Sequence, residues 1–142
     1  MSPYTLDTNV LVDVAREPDG PVGRRFYAKQ PGEMGLSVIA AGEVQLGIEK
    51  HPQSRSNPSM RYLLGSLRIE ALAPEVSETY GRVRLAVERS GRSMSPNDYW
   101  IVAHALAKDA VLVTGDRAIH DAGVVGLKVE DWRGELAVRK QD

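Results

Sequence analysis

Short apolar runs and longer segments of helical period take turns along this chain. Pro3 to Leu6 predicts a first strand. It ends at Asp7, and Asp7 or Thr8 can cap a helix whose apolar side is Val10, Leu11 and Val14. Glu17-Pro18-Asp19-Gly20-Pro21 breaks that helix. Val22 to Gln30 predicts a second short helix. Val22 and Phe26 share one of its faces, and Arg24, Arg25 and Lys29 cover the rest. Met34 to Ser37 predicts a second strand, with Ser37 a good N-cap. The helix from Val38 to Lys50 carries Ile39, Ala40, Val44, Leu46 and Ile48.

His51 to Ser59 is polar and reads as a loop. Met60 to Leu67 predicts a helix whose Tyr62, Leu63, Leu64 and Leu67 are expected in the core or at a dimer contact. Arg68 to Ala73 predicts a third strand. Pro74 opens a long helix from Glu75 to Arg89, with Val76, Tyr80, Val83 and Val87 at helical spacing. In Ser95-Pro96-Asn97-Asp98, Ser stands at the N-cap, Pro at the first helical position and an acid three residues after the cap. That helix continues through Tyr99, Trp100, Ile101, Val102, Ala105 and Leu106. Val111-Leu112-Val113 is apolar throughout, as expected of a strand buried on both faces. Thr114-Gly115-Asp116 turns into a brief helix with Ile119 and His120. Leu127 to Val129 predicts a fifth strand. The tail from Asp131 to Asp142 is mixed and polar, apart from Trp132 and Leu136. Strands alternating with helices predict a three-layer α/β fold with a mainly parallel sheet of about five strands.

Composition narrows the class. A length of 142 residues suits one domain, 1–142. Hydrophobic content of 42% and charged content of 26% suit a soluble globular chain. With no cysteine, disulfides, thiolate zinc sites and a Cys nucleophile are excluded. No segment has the length and apolarity of a membrane span or signal peptide, so a cytoplasmic protein is expected. A net charge of −1 gives no broad basic surface for nucleic acid. Local clusters remain: Arg16, Arg24, Arg25 and Lys29 early in the chain, and Arg82, Arg84, Arg89 and Arg92 later. Each is a solvated face by default and an RNA-backbone contact on the sharper reading.

The chemistry lies in the acids. No glycine-rich phosphate loop and no nucleophile elbow occurs. Asp7 follows the first strand, where open α/β sheets bind ligands, although it also suits an N-cap. Asp98 fits a capping box with Ser95. Asp116 follows the fourth strand, in a turn or cap position. Glu43 falls between Ile39 and Leu46 on the helical wheel, beside the apolar stripe, where a carboxylate needs a partner, a proton or a metal. Parallel strands bring Asp7 and Asp116 to one edge of the sheet, and Glu43 and Asp98 are expected in the first turns of helices facing it. Carboxylates gathered there repel one another. A hard divalent cation, Mg²⁺ or Mn²⁺, relieves that repulsion and suits phosphodiester hydrolysis. His104 is expected in surface or interface packing, Asp13 at the surface and Asp109 at a helix end. His51 and His120 lack partners at ligand spacing.

These motifs resemble those of the PIN-domain ribonucleases, and more closely the VapC-type toxins of type II toxin–antitoxin pairs. The matching stretches are Leu6-Asp7-Thr8-Asn9-Val10-Leu11, Gly42 to Gly47, Pro96 to Leu106 and Leu112-Val113-Thr114-Gly115-Asp116, with Val129-Glu130-Asp131-Trp132 similar at the close. The resemblance implies a PIN-like α/β/α fold and a metal-dependent endoribonuclease. It implies Asp7, Glu43 and Asp98 as the main acids around Mg²⁺ or Mn²⁺, and Asp116 as a fourth. Thr8, Asn9 and Thr114 would orient ligands or water. Gly115 departs from the family, in which many members carry Asn. The resemblance also implies RNA as substrate, a homodimer, a cognate VapB-type antitoxin, and operator DNA reached only through that antitoxin. A strand-end acid is expected to accept the proton of the attacking water. The competing reading is an inactive PIN-like domain that binds RNA or protein, with the acids as structural caps. An aspartyl-phosphate phosphatase fits less well, because its usual second acid is Asn9 here.

Overall fold

The computed structural model describes residues 3–134. Five parallel strands form one sheet, ordered β3-β2-β1-β4-β5: β1 (Tyr4–Leu6), β2 (Met34–Ser37), β3 (Arg68–Glu70), β4 (Val111–Val113) and β5 (Lys128–Glu130). Between them run the helices α1 (Thr8–Arg16), α2 (Pro21–Tyr27), α3 (Val38–Lys50), α4 (Asn57–Ser66), α5 (Val76–Arg89), α6 (Pro96–Ala107) and α7 (Arg117–Asp121). Every residue of β2 is buried, which requires cover on both faces of the sheet. This is the α/β/α arrangement the alternation of elements predicts. The edge strands stay short and carry charge, Arg68 on β3 and Lys128 and Glu130 on β5, which discourages further pairing. The third strand stops at Glu70, short of the predicted Ala73.

Strand order opens a place for the acids. The chain leaves β1 in one direction to build β2 and β3, then returns to the other side of β1 with β4 and β5. The reversal leaves a crevice at the carboxyl ends of β1 and β4, where sheets of this type bind ligands. Register fixes the neighbours there: Leu6 pairs with Val113, and Asp7 N–H donates to Val113 O at 2.9 Å. Asp7 and Thr114 thus leave the sheet side by side.

The core forms where the apolar periods place it. Leu6, Leu11, Leu36, Tyr99, Ile101 and Leu112 are fully enclosed, and Trp132 closes over Tyr4 edge-to-face at 5.9 Å. Leu46, expected on the apolar side of its helix, and Tyr62, expected in the core or at a dimer contact, are not buried. Leu46 is 54% exposed, because α3 turns Ala40, Ala41, Val44 and Ile48 inward. Tyr62 is 70% exposed, while Leu63, Leu64 and Leu67 fill the interior. His104 departs in the opposite direction. It is buried at the C-terminal end of α6 and bonded to Glu70 of edge strand β3 at 3.3 Å. Burial pushes its imidazole pKa down, against the opposing pull of Glu70. Asp109 lies just past the Lys108 C-cap of α6, with φ +55°, a left-handed conformation that Asp tolerates better than most residues. The polar tail from Glu135, including Leu136, lies outside the described residues.

Candidate metal centre

Asp7 directly follows β1 and is the N-cap of α1, so the strand-end position and the cap are taken at once. Its carboxylate is buried and accepts three hydrogen bonds. Thr8 N–H donates to Oδ1 at 2.8 Å, and Thr114 Oγ1 and Asn9 Nδ2 donate to Oδ2 at 2.7 and 3.3 Å. Burial raises its pKa, as do Glu43 and Asp116 nearby, against the lowering effect of Thr114 and Thr8.

Asp98 lies in the first turn of α6, after the Ser95 cap and Pro96 at the start of the helix. Ser95 Oγ accepts from Asp98 N–H at 3.2 Å, which is one half of the predicted capping box. The carboxylate faces Asp7 and Asp116. Burial, then Asp7 and Asp116, push its pKa up to about 6, with Glu43 adding a smaller push. Asp116 is the N-cap of α7, accepting from Ala118 N–H at 2.9 Å. Asp7, Asp98 and Asp116 each offer a carboxylate oxygen, and the three atoms lie within 4.8 Å of one another.

Glu43 stands beside this trio rather than inside it. It lies in the second turn of α3, not the first, with Oε1 accepting from Thr8 Oγ1 at 2.9 Å and Oε2 from Asn97 Nδ2 at 3.4 Å. It is half-buried, since its wheel neighbour Leu46 faces solvent. Its partners are therefore a hydroxyl and an amide, and burial alone does not require a metal there. Charge still couples it to the site, because it raises both Asp7 and Asp98.

Polar residues join the acids into one network. Thr114 Oγ1 spends its only proton on Asp7 and accepts from Asp116 N–H at 3.0 Å and Asn9 Nδ2 at 3.4 Å. Asn9 Oδ1 accepts from Gly115 N–H at 3.1 Å. His120 Nε2 donates to Thr114 O at 2.8 Å, a role its spacing from the other histidines could not reveal. Three carboxylates gathered this closely, one of them buried, form no ion pair with a cation among the described residues. An all-oxygen donor set with uncompensated charge fits a hard divalent cation.

A family model described as "PIN domain" matches residues 4–125. The chain is a PIN-domain protein. Among curated PIN-domain relatives, Ribonuclease VapC2 of Rickettsia felis is 30% identical over 115 residues, covering 80% of this chain and 86% of the relative. The tRNA(fMet)-specific endonuclease VapC of Shigella flexneri is 30% identical over 135 residues, covering 93% and 99%. The chain therefore belongs with the VapC-type PIN domains. The same fold appears in VapBC2 from Rickettsia felis bound to a DNA fragment from its promoter, with TM-score 0.78, 24% identity and coverage of 91% and 98%. DNA-bound VapBC from Salmonella typhimurium superposes with TM-score 0.77 at 23% identity, covering 93% and 99%.

Proposed function

We propose that this VapC-type PIN domain is the toxin of a toxin–antitoxin pair, an endoribonuclease that hydrolyses RNA phosphodiester bonds with Mg²⁺ or Mn²⁺. One observation carries the metal dependence: three carboxylate oxygens within 4.8 Å of one another and no cationic side chain paired with them among the described residues. Asp7, Asp98 and Asp116 would hold the ion, with Glu43 adding negative charge from the side. A divalent cation there supplies positive charge against the charge developing on the phosphate, and it acidifies water.

The chain's own residues do the rest. Thr8 and Asn9 fix both oxygens of Asp7 from the first turn of α1, so the carboxylate cannot swing away from the crevice. Thr114 ties Asp7 to the Asp116 backbone, holding two acids from different strands in one arrangement. A strand-end acid would accept the proton of the attacking water, and Asp116, counted among the residues that would hold the ion, keeps one oxygen for it. Its Oδ1 is engaged by Ala118, and no hydrogen bond occupies Oδ2 among the described residues.

A cognate VapB-type antitoxin, a homodimer and operator DNA reached through the antitoxin complete the proposal, supported by the likeness to VapBC proteins. No described helix is long and apolar enough to cross a membrane, and we assign the protein's work to the cytoplasm.

Purified protein should cleave RNA in Mg²⁺ and lose that activity in EDTA. Asp7→Asn and Asp98→Asn should each lower the rate by roughly a hundredfold or more. Unchanged cleavage in both variants would remove these residues from the site. Folded protein that neither cleaves RNA nor binds a divalent cation would favour an RNA- or protein-binding module instead.

A further inference from the structure

The turn that carries Asp116 is satisfied at each backbone polar group leading into it. Thr114 N–H donates to Glu130 O at 3.0 Å, and Thr114 O accepts from His120 at 2.8 Å. Gly115 N–H donates to Asn9 Oδ1 at 3.1 Å. Gly115 O accepts from Arg133 Nη2 at 2.6 Å, and Asp116 N–H donates to Thr114 Oγ1 at 3.0 Å. The partner of the Gly115 carbonyl is the outlier. It is a cation reaching back from beyond β5, eighteen residues along the chain.

Arg133 is itself anchored. Its backbone N–H and its Nε both donate to Oδ1 of buried Asp131, at 3.0 and 3.3 Å. Between them Trp132 packs into the core against Tyr4. The guanidinium therefore approaches Gly115 from a fixed base.

Gly115 admits that approach by lacking a side chain. A Cβ at position 115 would lie 2.3 Å from Arg133 Nη2 and 2.4 Å from Cζ. Gly115 is not among the glycines with positive φ, so conformational freedom is not what this residue supplies. Its contribution is space, and the guanidinium fills it.

We infer that Arg133 is a positioning residue for the metal centre. It holds the Gly115 carbonyl and so fixes the peptide leading into Asp116, keeping that carboxylate beside Asp7 and Asp98. Asn9 holds the other end of residue 115 from α1. The turn is thus clamped between the first helix and the segment after the last strand. This inference rests on the metal-dependent function proposed for the acids.

The test compares Arg133→Ala, Gly115→Ala, the double variant and Arg133→Lys with the unaltered chain. Gly115→Ala should displace the guanidinium rather than unfold the protein, because the clash is with the far end of a flexible side chain. Three measurements are made: exchange of the Asp116 amide in metal-free protein, the midpoint of Mn²⁺ binding by calorimetry, and kcat and KM for RNA cleavage. Each single alanine variant should speed Asp116 exchange. Each should also weaken Mn²⁺ binding by about tenfold and lower kcat more than KM. The double variant should be no worse than Arg133→Ala alone, since that variant already removes the Gly115 contact that Gly115→Ala displaces, together with the Arg133 bond to Asp131. Arg133→Lys should recover part of the Mn²⁺ affinity.

Losses that add in the double variant would overturn the inference. So would a lower melting temperature with Asp116 exchange and Mn²⁺ midpoint unchanged. If the unaltered chain binds no divalent cation, the metal reading fails by itself. Exchange at Asp116 still decides whether Arg133 holds the turn.

Discussion

Asp98 shows what it costs a single residue to belong to this site. Its folded-state pKa of about 6 lies above the ordinary 3.8, chiefly through burial and then through Asp7 and Asp116. A raised carboxylate pKa means the folded chain holds a proton that the unfolded chain has lost. The associated stability is present below 3.8 and disappears as pH rises to about 6. In EDTA, Asp98→Asn should therefore melt above the unaltered chain at pH 7. With discounting for solvent screening of a half-exposed group, the gain is about 1 kcal/mol, or roughly 2–4 °C. The gap should open between pH 4 and 6 and stay level above, as thermal melts across that range would show. A gap of constant size from pH 4 upward would mean that Asp98 does not titrate in this window. Asp7 differs from Asp98 in its partners. Its three donors suit a carboxylate, and an amide would turn an N–H toward one of them, so Asp7→Asn should gain no such stability.

At the scale of elements, α6 serves two purposes at its two ends. Its N-terminal turn carries Asp98 into the crevice. Its far end buries His104 against Glu70 of β3, so the same helix reaches the edge of the sheet. His104→Ala removes that bond and leaves Glu70 buried without it, at a cost of about 1–3 kcal/mol. Urea titration should show the loss, and cleavage per folded molecule should stay near that of the unaltered chain, since His104 touches none of the acids. A matching loss of activity would tie the two ends of the helix together. The long α5 braces this helix, with Tyr80 stacked on Trp100 at 4.0 Å and Arg84 bonded to the Tyr80 hydroxyl at 2.6 Å. Part of the later arginine cluster is thereby committed to packing. Lys29 of the early cluster lies over the Tyr4 ring at 4.4 Å, and Arg25 donates to Asp131 O.

At the scale of the whole molecule, repulsion among the acids is a strain that a cation removes. Any species that binds the folded chain alone stabilises it by mass action, by about 2.7 kcal/mol at a hundred times its dissociation constant. Saturating Mg²⁺ or Mn²⁺ should raise the melting temperature. The rise should be larger at pH 7.5 than at pH 5, where protons already occupy part of the cluster. Equal shifts at the two pH values would count against binding through these carboxylates. The design depends on the sheet order. Asp7 and Asp116 are neighbours because β4 pairs with β1, and Asp98 joins them because α6 leads directly into β4.

Much of this was legible in the residues themselves. The apolar periods determined the alternation of strands and helices, because a strand buried on both faces and a helix buried on one need different spacings. Caps at Ser37 and Ser95 marked helix starts, because a side-chain oxygen there satisfies a backbone N–H the helix cannot. Asp7, Asp98 and Asp116 stood out as acids at strand ends and helix starts. Other features needed the tertiary structure, because they depend on which surfaces meet. Periodicity alone put Leu46 on the apolar face of α3, while packing against neighbours turned it to solvent and left Glu43 with Thr8 and Asn97 instead of a buried charge. His104 read as surface or interface packing because nothing local marks Glu70 as its partner, 34 residues away. Gly115 read as a missing side chain, and only the folded chain shows Arg133 filling that space. The sequence by itself determined the elements and the acids they carry, through local spacing and local hydrogen bonding. Tertiary structure decided which acids share one crevice and what holds them there, because those contacts join residues up to 107 positions apart.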